Sequence, residues 1–319
     1  MSLTELLMTV VSTMLVYAAP LIFTALGGTF SERSGIVNVG LEGIMVMGAF
    51  SGVVFNLMMA DQFGKLTPWL GLLVGGLVGV LFSLLHAVAT VNLRTDHIIS
   101  GTVLNLMAPA LAVYLTKLIF DGKGQTDIIQ RPLATTTIPG LAKIPFIGPV
   151  LFDNTSLIAY VGILVAVVSW WVLKYTRFGL RLRSVGEHPE AADSLGISVY
   201  RYRYIGVMLS GLLGGIGGAV MAQSITLNFN GATIAGQGFM ALAAMIFGKW
   251  HPIGATGAAI FFGFAQSLAI IGKYIPVIAS VPNYWFTLAP YLITVIVLVA
   301  FVGKSQAPAA DGTTFIKSK

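Results

Sequence analysis

Long apolar runs separated by short polar connections dominate the hydrophobic pattern of this 319-residue chain. A run of about 20 apolar residues matches the length that an α-helix needs to cross ~30 Å of hydrocarbon. No series of roughly ten-residue segments with alternating polarity, typical of a membrane β-barrel, is present. The pattern predicts an all-α polytopic membrane protein with about nine transmembrane helices, at 6–28, 36–58, 68–91, 98–119, 155–174, 204–222, 238–249, 254–272 and 283–303.

Two of these predicted spans are irregular. The seventh is too short to cross a membrane alone and ends at "GKWHPIG", where Pro252 and the glycines interrupt a helix, so we predict a broken helix near 238–254. In the second, "SERSGIVNVGLEG" places Asn38 and Glu42 among apolar residues. Interrupted helices are tolerated at membrane depth only where protein or a water-filled cavity surrounds them.

Composition and charge indicate how the chain is oriented in the membrane. Only 9% of the residues are charged, whereas soluble domains carry roughly a quarter, so lipid must cover part of the surface. The net charge of +6 comes from basic residues in connections and does not indicate a nucleic-acid partner. Six of them flank or occupy the 175–203 loop: Lys174, Arg177, Arg181, Arg183, Arg201 and Arg203.

Cytoplasmic loops of membrane proteins are enriched in Lys and Arg, so this loop is predicted to be cytoplasmic. Alternating the predicted spans outward from this loop puts the proline-rich 120–154 connection and the N-terminus outside. This connection is predicted to be either an ordered cap or a plain surface loop. We predict one transmembrane domain over 1–303. A polar cytoplasmic tail, 304–319, is expected to be disordered.

Several classes of chemistry are excluded. The chain has no cysteine, which rules out disulfides and thiolate metal sites. The four histidines do not form H-E-x-x-H, and neither a G-x-S-x-G elbow nor a phosphate-binding G-x-x-x-x-G-K-[ST] loop is present. We therefore predict no catalytic residue, no metal site and no bound cofactor. Any ATP used in transport must be bound by another chain.

Glycines recur at helical spacing in two predicted spans. They are Gly211, Gly214, Gly215 and Gly218 in one, and Gly71, Gly75 and Gly79 in the other. A nucleotide-binding turn would need a preceding strand, which is absent. Small residues at this spacing instead let two helices approach closely, so these faces are predicted to be helix-packing surfaces.

Polar groups at membrane depth are the candidates for a substrate path. A buried carboxylate is costly, so Glu42 is a functional candidate, although it also fits a cap on a broken helix or a partner for Arg33. Neutral amides suit uncharged, hydroxyl-rich or heterocyclic ligands, and each also fits an interhelical hydrogen bond. The candidate path residues are Asn38, Glu42, Asn105, Gln223, Asn228, Gln237 and Phe239.

The segment "RSVGEHPEAADSLGIS" is unusually charged for this chain. Pro189 suits the first turn of a helix and Gly196 its end, so a short helix is predicted between them. It is either a solvated loop helix or an element that carries motion from an ATPase. In the second case Ala191 and Ala192 permit close docking, with charges around the rim.

Three stretches of the chain resemble a known family: "GLRLRSVGEHPEAADSLGI", "ERSGIVNVGLEGIMVMGAF" and "GQGFMALAAMIFGKWHPIGA". They are similar to segments of ABC importer permeases of the group that includes ribose, simple-sugar, branched-chain amino-acid and nucleoside permeases. The chain looks most like the shorter permease of bacterial nucleoside importers. Sugar and branched-chain amino-acid permeases are the nearest alternatives, and an ion-coupled secondary transporter is a further one.

The resemblance implies a multi-pass protein of the bacterial cell membrane that imports nucleosides. It implies a cytoplasmic ATPase that holds ATP and Mg, a second and longer permease or a second copy of this chain, and an extracytoplasmic substrate-binding lipoprotein. The residues that it assigns to ATPase coupling are Arg183, Gly186, Glu187, His188, Pro189, Ala191, Ala192, Asp193 and Gly196.

Overall fold

The computed structural model describes residues 3–145, 147–272 and 306–317, together with residues 285, 288 and 292. No β-strand occurs in this part of the chain, and the prediction of an all-α fold is confirmed. The helices are α1 (Leu3–Arg33), α2 (Leu41–Phe63), α3 (Thr67–Ala87), α4 (His97–Ile119), α5 (Ile147–Phe152), α6 (Leu157–Tyr175), α7 (Arg177–Glu187), α8 (Pro189–Ser194), α9 (Val199–Met221), α10 (Gln237–Phe247) and α11 (Pro252–Ile271).

Six apolar helical stretches within the described residues are long enough to cross a membrane. One of them, Leu41–Asn92, contains both α2 and α3, which pack against each other along their length. The chain reverses between them at Gly64, whose φ of +52° favours glycine. The described helices thus account for seven of the predicted spans, while α10 is too short to cross alone. The predicted span 283–303 lies outside the described residues.

Close packing of α2, α3 and α9 forms the centre of the bundle. A Cβ atom added to Gly48 of α2 would lie 2.2 Å from the carbonyl oxygen of Gly215, and one added to Gly79 of α3 would lie 2.2 Å from that of Gly211. Only glycine permits backbones to come this close. The predicted packing role of the glycine faces is confirmed.

Contacts between the helix ends show which connections share a side. Ser12 near the start of α1 donates to the carbonyl oxygen of Asn154 at 2.5 Å, so this end of α1 lies beside the 120–154 connection. At the opposite end, Arg33 approaches Glu187 to 3.9 Å. This arrangement agrees with the predicted topology, in which the start of α1 is outside and the 175–203 loop is inside.

The 120–154 connection is an ordered cap. Its amide groups donate to the segment that follows α9, with Thr126 N–H to the Phe229 carbonyl and Ile129 N–H to the Leu227 carbonyl, both at 2.9 Å. Within this connection the side chain of Ile129 is buried. Of the two predicted alternatives, the structure has the ordered cap.

Residues 306–317, here called the tail segment, pack against the end of the bundle that carries Arg33. Ala310 N–H donates to the Gly186 carbonyl at 2.9 Å, and Arg203 Nη1 donates to the Thr313 carbonyl at 2.9 Å. Phe315 is buried and its ring lies 5.7 Å from that of Tyr200. The expectation of a disordered tail is wrong for these residues, because one buried aromatic ring and backbone hydrogen bonds hold an otherwise polar segment.

Candidate functional site: helix breaks and the coupling segment

The first helix break lies between α1 and α2. The helix α1 continues to Arg33, beyond the predicted end at 28, and α2 begins at Leu41 rather than at 36. In the intervening turn, the N–H of Val37 donates to Nδ1 of His97 at 3.3 Å, and its carbonyl lies 3.0 Å from Nε2 of His86. Two buried histidines from α3 and α4 thus satisfy the backbone that the break leaves unpaired.

Asn38 and Asn105 stabilise the same break. Asn38 is fully buried, and its Nδ2 donates to Ser210 Oγ of α9 at 2.9 Å. The Asn105 amide donates to the Val39 carbonyl at 2.9 Å and accepts from the Gly43 N–H at 2.8 Å. The structure therefore engages both amides in contacts within the chain, and their role in a substrate path stays a prediction.

Glu42 caps the second helix break, at the start of α10. Its Oε1 accepts from the N–H of Gly236 and its Oε2 from the N–H of Gly238, each at 2.7 Å. Gly236 has a φ of +89°, and a Cβ on Gly238 would lie 2.5 Å from Cα of Glu42. A carboxyl at this position accepts hydrogen bonds from the free amides at the start of α10. The positive end of the helix dipole also stabilises a negative group placed there. Of the alternatives for Glu42, the geometry is that of a cap on a broken helix.

Arg33, the other partner proposed for Glu42, lies elsewhere. Its Nε donates to the Trp250 carbonyl at 3.0 Å, in the turn between α10 and α11. The pairing of Glu42 with Arg33 is therefore wrong. Arg33 instead joins α1 to this turn and to Glu187.

Gln223 is also engaged inside the chain, with a residue that the sequence did not single out. Asn56 of α2 donates to Gln223 Oε1 at 2.7 Å and to the Arg131 carbonyl at 2.8 Å, and both side chains are buried. An amide in an apolar span is the signal that identified Asn38, and the same signal marks Asn56. This pair ties α2 and the turn that follows α9 to the outer cap.

The remaining path candidates retain exposed surface. Phe239, on α10, is 49% exposed, and Asn228 is half-buried. Gln237 is half-buried and exchanges weak hydrogen bonds of 3.3 Å with Gln266 of α11, a second amide that the sequence did not single out. These three predicted residues are the ones with surface available to a ligand near the α10 break.

The predicted short helix between Pro189 and Gly196 is present as α8, and it follows a helix that the sequence did not predict, α7. Thr176 accepts from the Gly179 N–H at 3.1 Å and caps α7, and His188, with φ −141° and ψ 80°, separates α7 from α8. Pro189 is the first residue of α8, and Gly196, with a φ of +79°, follows its end. We call residues 183–196 the coupling segment, after the role predicted for it.

The two alanines of α8 differ in exposure. Ala191 is exposed, whereas Ala192 is only 2% exposed and packs in a small core with Val185, Val199 and Phe315. A cleft of about 450 Å³ beside α8, the α8 cleft, has both alanines on its wall. Ala191 is the one with surface free for a partner, and the docking role of Ala192 stays a prediction.

The accessible surface inside the α8 cleft is almost entirely apolar. Leu195 is 80% exposed and Leu180 is 61% exposed, although both lie on the charged, basic side of the protein. Exposed apolar surface bordered by polar residues is typical of a protein-interaction site. His188 and Glu190 are the predicted rim charges that remain exposed.

Three further predicted coupling residues contact other parts of the chain. Glu187 accepts from the Ala309 N–H at 3.1 Å, Asp193 lies 3.8 Å from Nζ of Lys317, and a Cβ on Gly186 would lie 2.3 Å from the Arg33 carbonyl oxygen. These three residues attach the coupling segment to α1 and to the tail segment. Arg183 lines a separate cavity.

A membrane-crossing bundle with helix breaks held by buried polar groups and a short helix presented on its basic side is the architecture of a transport permease. Comparison with known proteins defines this class further. The chain belongs to the family described as the branched-chain amino acid transport system / permease component, whose model matches residues 10–298.

Three relatives show the range of similarity. The nucleoside ABC transporter permease protein NupC of Lactococcus lactis is 58% identical, and the guanosine ABC transporter permease protein NupQ of Bacillus subtilis is 52% identical, each over 319 residues that cover all of both chains. The nucleoside ABC transporter permease protein NupB of Lactococcus lactis is 25% identical over 253 residues, which cover 78% of this chain and 69% of that protein.

These findings confirm the prediction of an ABC transporter permease that crosses the bacterial cell membrane several times. They also confirm that the chain is a transport subunit rather than an enzyme. Membership of this family implies association with an ATPase and with a substrate-binding protein.

Proposed function

We propose that this chain forms part of the translocation path for nucleosides in an ATP-driven importer. The observation that carries the proposal is the end-to-end similarity, at 58% and 52% identity, to two permeases named for nucleoside and guanosine transport. The half-buried amides and the exposed aromatic ring near the α10 break support it. Amides offer donors and acceptors to a base and a ribose, and Phe239 offers a face on which a base stacks.

The ATPase docks in the α8 cleft. Exposed Leu180, Ala191 and Leu195 provide the apolar contact, and ATP with Mg is bound by that partner. A series of observed contacts connects this surface with the membrane helices. The coupling segment contacts Arg33 through Gly186 and Glu187, and Arg33 binds the turn between α10 and α11.

The same series of contacts reaches the helix break at the start of α10. Because α10 ends at this turn and begins at the Glu42 cap, a displacement of the coupling segment is transmitted along α10 to α2. The displacement opens and closes the path beside Asn228, Gln237 and Phe239. Energy comes from the ATPase cycle, so this chain needs only modest affinity for its substrate.

A second, longer permease completes the path. Its support is that this chain resembles two nucleoside permeases of Lactococcus lactis to different degrees, and that the aligned 253 residues are a smaller share of NupB than of this chain. The extracytoplasmic partner is a substrate-binding lipoprotein that contacts the outer cap.

The docking proposal is tested with Ala191→Arg, and Ala309→Arg is the matched control, since Ala309 is also exposed on this side but lies outside the α8 cleft. The tagged chain is purified gently from membranes, and the ATPase and permease that accompany it are identified by mass spectrometry. We expect Ala191→Arg to lose the ATPase and nucleoside uptake while remaining monodisperse, and the control to retain both. Normal ATPase recovery and uptake with Ala191→Arg would refute docking in this cleft.

The cargo is tested separately by competition. Uptake of a radiolabelled nucleoside by cells that express the complete system is measured with excess leucine, free ribose or unlabelled nucleosides. We expect only nucleosides to compete. Competition by leucine or ribose would favour the amino-acid or sugar alternative, and uptake that persists without the ATPase would favour an ion-coupled transporter.

A further inference from the structure

A second cavity lies on the same side of the protein as the coupling segment but outside the α8 cleft. It has a volume of about 230 Å³ and lies where the ends of α1 and α6 meet α7 and the turn between α10 and α11. We call it the basic cavity. Its walls include Arg33, Trp170, Lys174, Arg183, Trp250 and His251.

Positive charge accumulates in the basic cavity without an equal number of acidic groups. No carboxylate lines its wall within the described residues. Among the residues that the structure describes, two carboxylates contact its lining residues from outside. Glu187 lies 3.9 Å from Arg33, and its second oxygen already accepts from the Ala309 N–H. Glu32 accepts from Nε1 of Trp250. Burial, together with the charges of Arg33 and Lys174, lowers the pKa of His251. The cavity is therefore suited to an anion.

Two guanidinium groups meet at this cavity, those of Arg33 and Arg183. Arg33 is held in place because its Nε donates to the Trp250 carbonyl. The Nε of Arg183 is buried without a partner in the described part of the chain and is closed to the cavity, so a bound phosphate would meet the outer N–H groups. Guanidinium groups bind phosphate through parallel hydrogen bonds.

The surroundings of the basic cavity are those of a membrane surface. Lys174 Nζ lies 5.5 Å from the ring centroid of Trp170 and 5.1 Å from that of Tyr175, at the end of α6. Nearer the N-terminal end of α6, Leu164 is 62% exposed and Trp171 is 55% exposed, as expected of a helix that faces lipid. Tryptophan, tyrosine and lysine gather at the level of lipid headgroups.

We propose that the basic cavity binds the phosphate of an acidic phospholipid from the cytoplasmic leaflet. Arg33, Lys174 and Arg183 contact the phosphate, and the acyl chains lie along the exposed face of α6. Basic pockets at the cytoplasmic ends of membrane helices suit such headgroups. A bound lipid would join α1, the coupling segment and the turn after α10 at one point, which links membrane composition to the coupling path.

The test uses the full chain, purified in detergent and stripped of lipid. Binding of phosphatidylglycerol is titrated by native mass spectrometry, with phosphatidylcholine and inorganic phosphate as separate probes. The variant is the double substitution Lys174→Gln and Arg183→Gln. The matched control is Arg177→Gln with Arg201→Gln, which removes two exposed basic residues from the same side but outside the cavity.

We expect the variant to bind phosphatidylglycerol about fivefold more weakly for each basic residue removed, and thus on the order of twentyfold overall. The control should change the affinity much less, and phosphatidylcholine should bind weakly to all forms. Equal affinities in variant and control, or equal binding of both lipids, would overturn the proposal.

Inorganic phosphate distinguishes the source of the ligand. If it displaces phosphatidylglycerol at similar concentration, the site is for a soluble phosphate compound and the lipid proposal is wrong. Lys174→Gln alone serves if the double variant is unstable, because Lys174 is exposed and its loss leaves the fold intact. A normal phosphatidylglycerol affinity in that single variant would also contradict the proposal.

Discussion

Removal of the Glu42 carboxyl should release the start of α10. The carboxyl accepts two hydrogen bonds of 2.7 Å from Gly236 and Gly238, in a region where water does not replace them readily. Each unpaired buried N–H costs about 1–3 kcal/mol, so Glu42→Ala should destabilise this region by about 2–6 kcal/mol. Glu42→Gln keeps one acceptor oxygen but turns an NH₂ group toward the other N–H. It should therefore lose about half as much.

Amide hydrogen exchange measures this effect locally. We expect faster exchange at residues 236–239 in Glu42→Ala and an intermediate rate in Glu42→Gln. The melting temperature in detergent should fall in the same order. Asp61→Ala is the matched control, because Asp61 is an exposed carboxylate on the same helix, α2.

Nucleoside uptake should fall with the loss of the cap, since α10 connects the coupling segment with α2. Wild-type exchange at 236–239 together with a wild-type melting temperature in Glu42→Ala would refute the capping role. Faster exchange with normal uptake would retain the cap but refute transmission through α10.

Two further predictions test the packing of the bundle and of the tail segment. A Cβ on Gly218 would lie 1.9 Å from a backbone oxygen of α2, so Gly218→Ala should destabilise the protein by about 1–3 kcal/mol. Gly257→Ala is the control, because a Cβ on Gly257 meets open space. Equal melting temperatures of the two variants would contradict the prediction. Burial raises the pKa of Asp311 to about 7 from 3.8, beside Glu32 of α1 and Arg203 of α9. The packed tail segment therefore binds a proton more tightly than the released one, and its docking should weaken as the pH rises from about 4 to 7. Exchange protection in the tail segment, measured against the intrinsic base-catalysed rate at each pH, should be lower at pH 8 than at pH 6. Asp311→Asn should reduce this difference, and an unchanged difference would exclude Asp311 as its source.

The sequence predicts the parts of this fold that depend on local pattern. Apolar runs of membrane length locate the crossings, and glycines at three- and four-residue spacing locate the contact of α9 with its neighbours. Pro189 and Gly196 define the ends of α8 because their backbone preferences are intrinsic. Each of these features depends on residue type and spacing alone.

Other features depend on partners that are distant in the chain and carry no side-chain signal. Glu42 caps backbone amides that lie 194 and 196 residues further along the chain, so its local sequence left three interpretations open. Ala191 and Ala192 are identical residues, and only the packing of Phe315 shows which of them is buried. The tail segment binds carbonyl groups of Gly35 and Gly186, which no polarity pattern distinguishes.

The tail segment also fixes the order in which this permease matures. Phe315 completes the small core beneath α8, yet it follows every described helix in the chain. While the protein is being synthesised, the coupling segment is therefore made long before the residues that hold its inner face. If the ATPase docks in the α8 cleft, as proposed, the docking surface reaches its final shape only after residue 315 has left the ribosome. A chain interrupted upstream of this point would lack that finished surface.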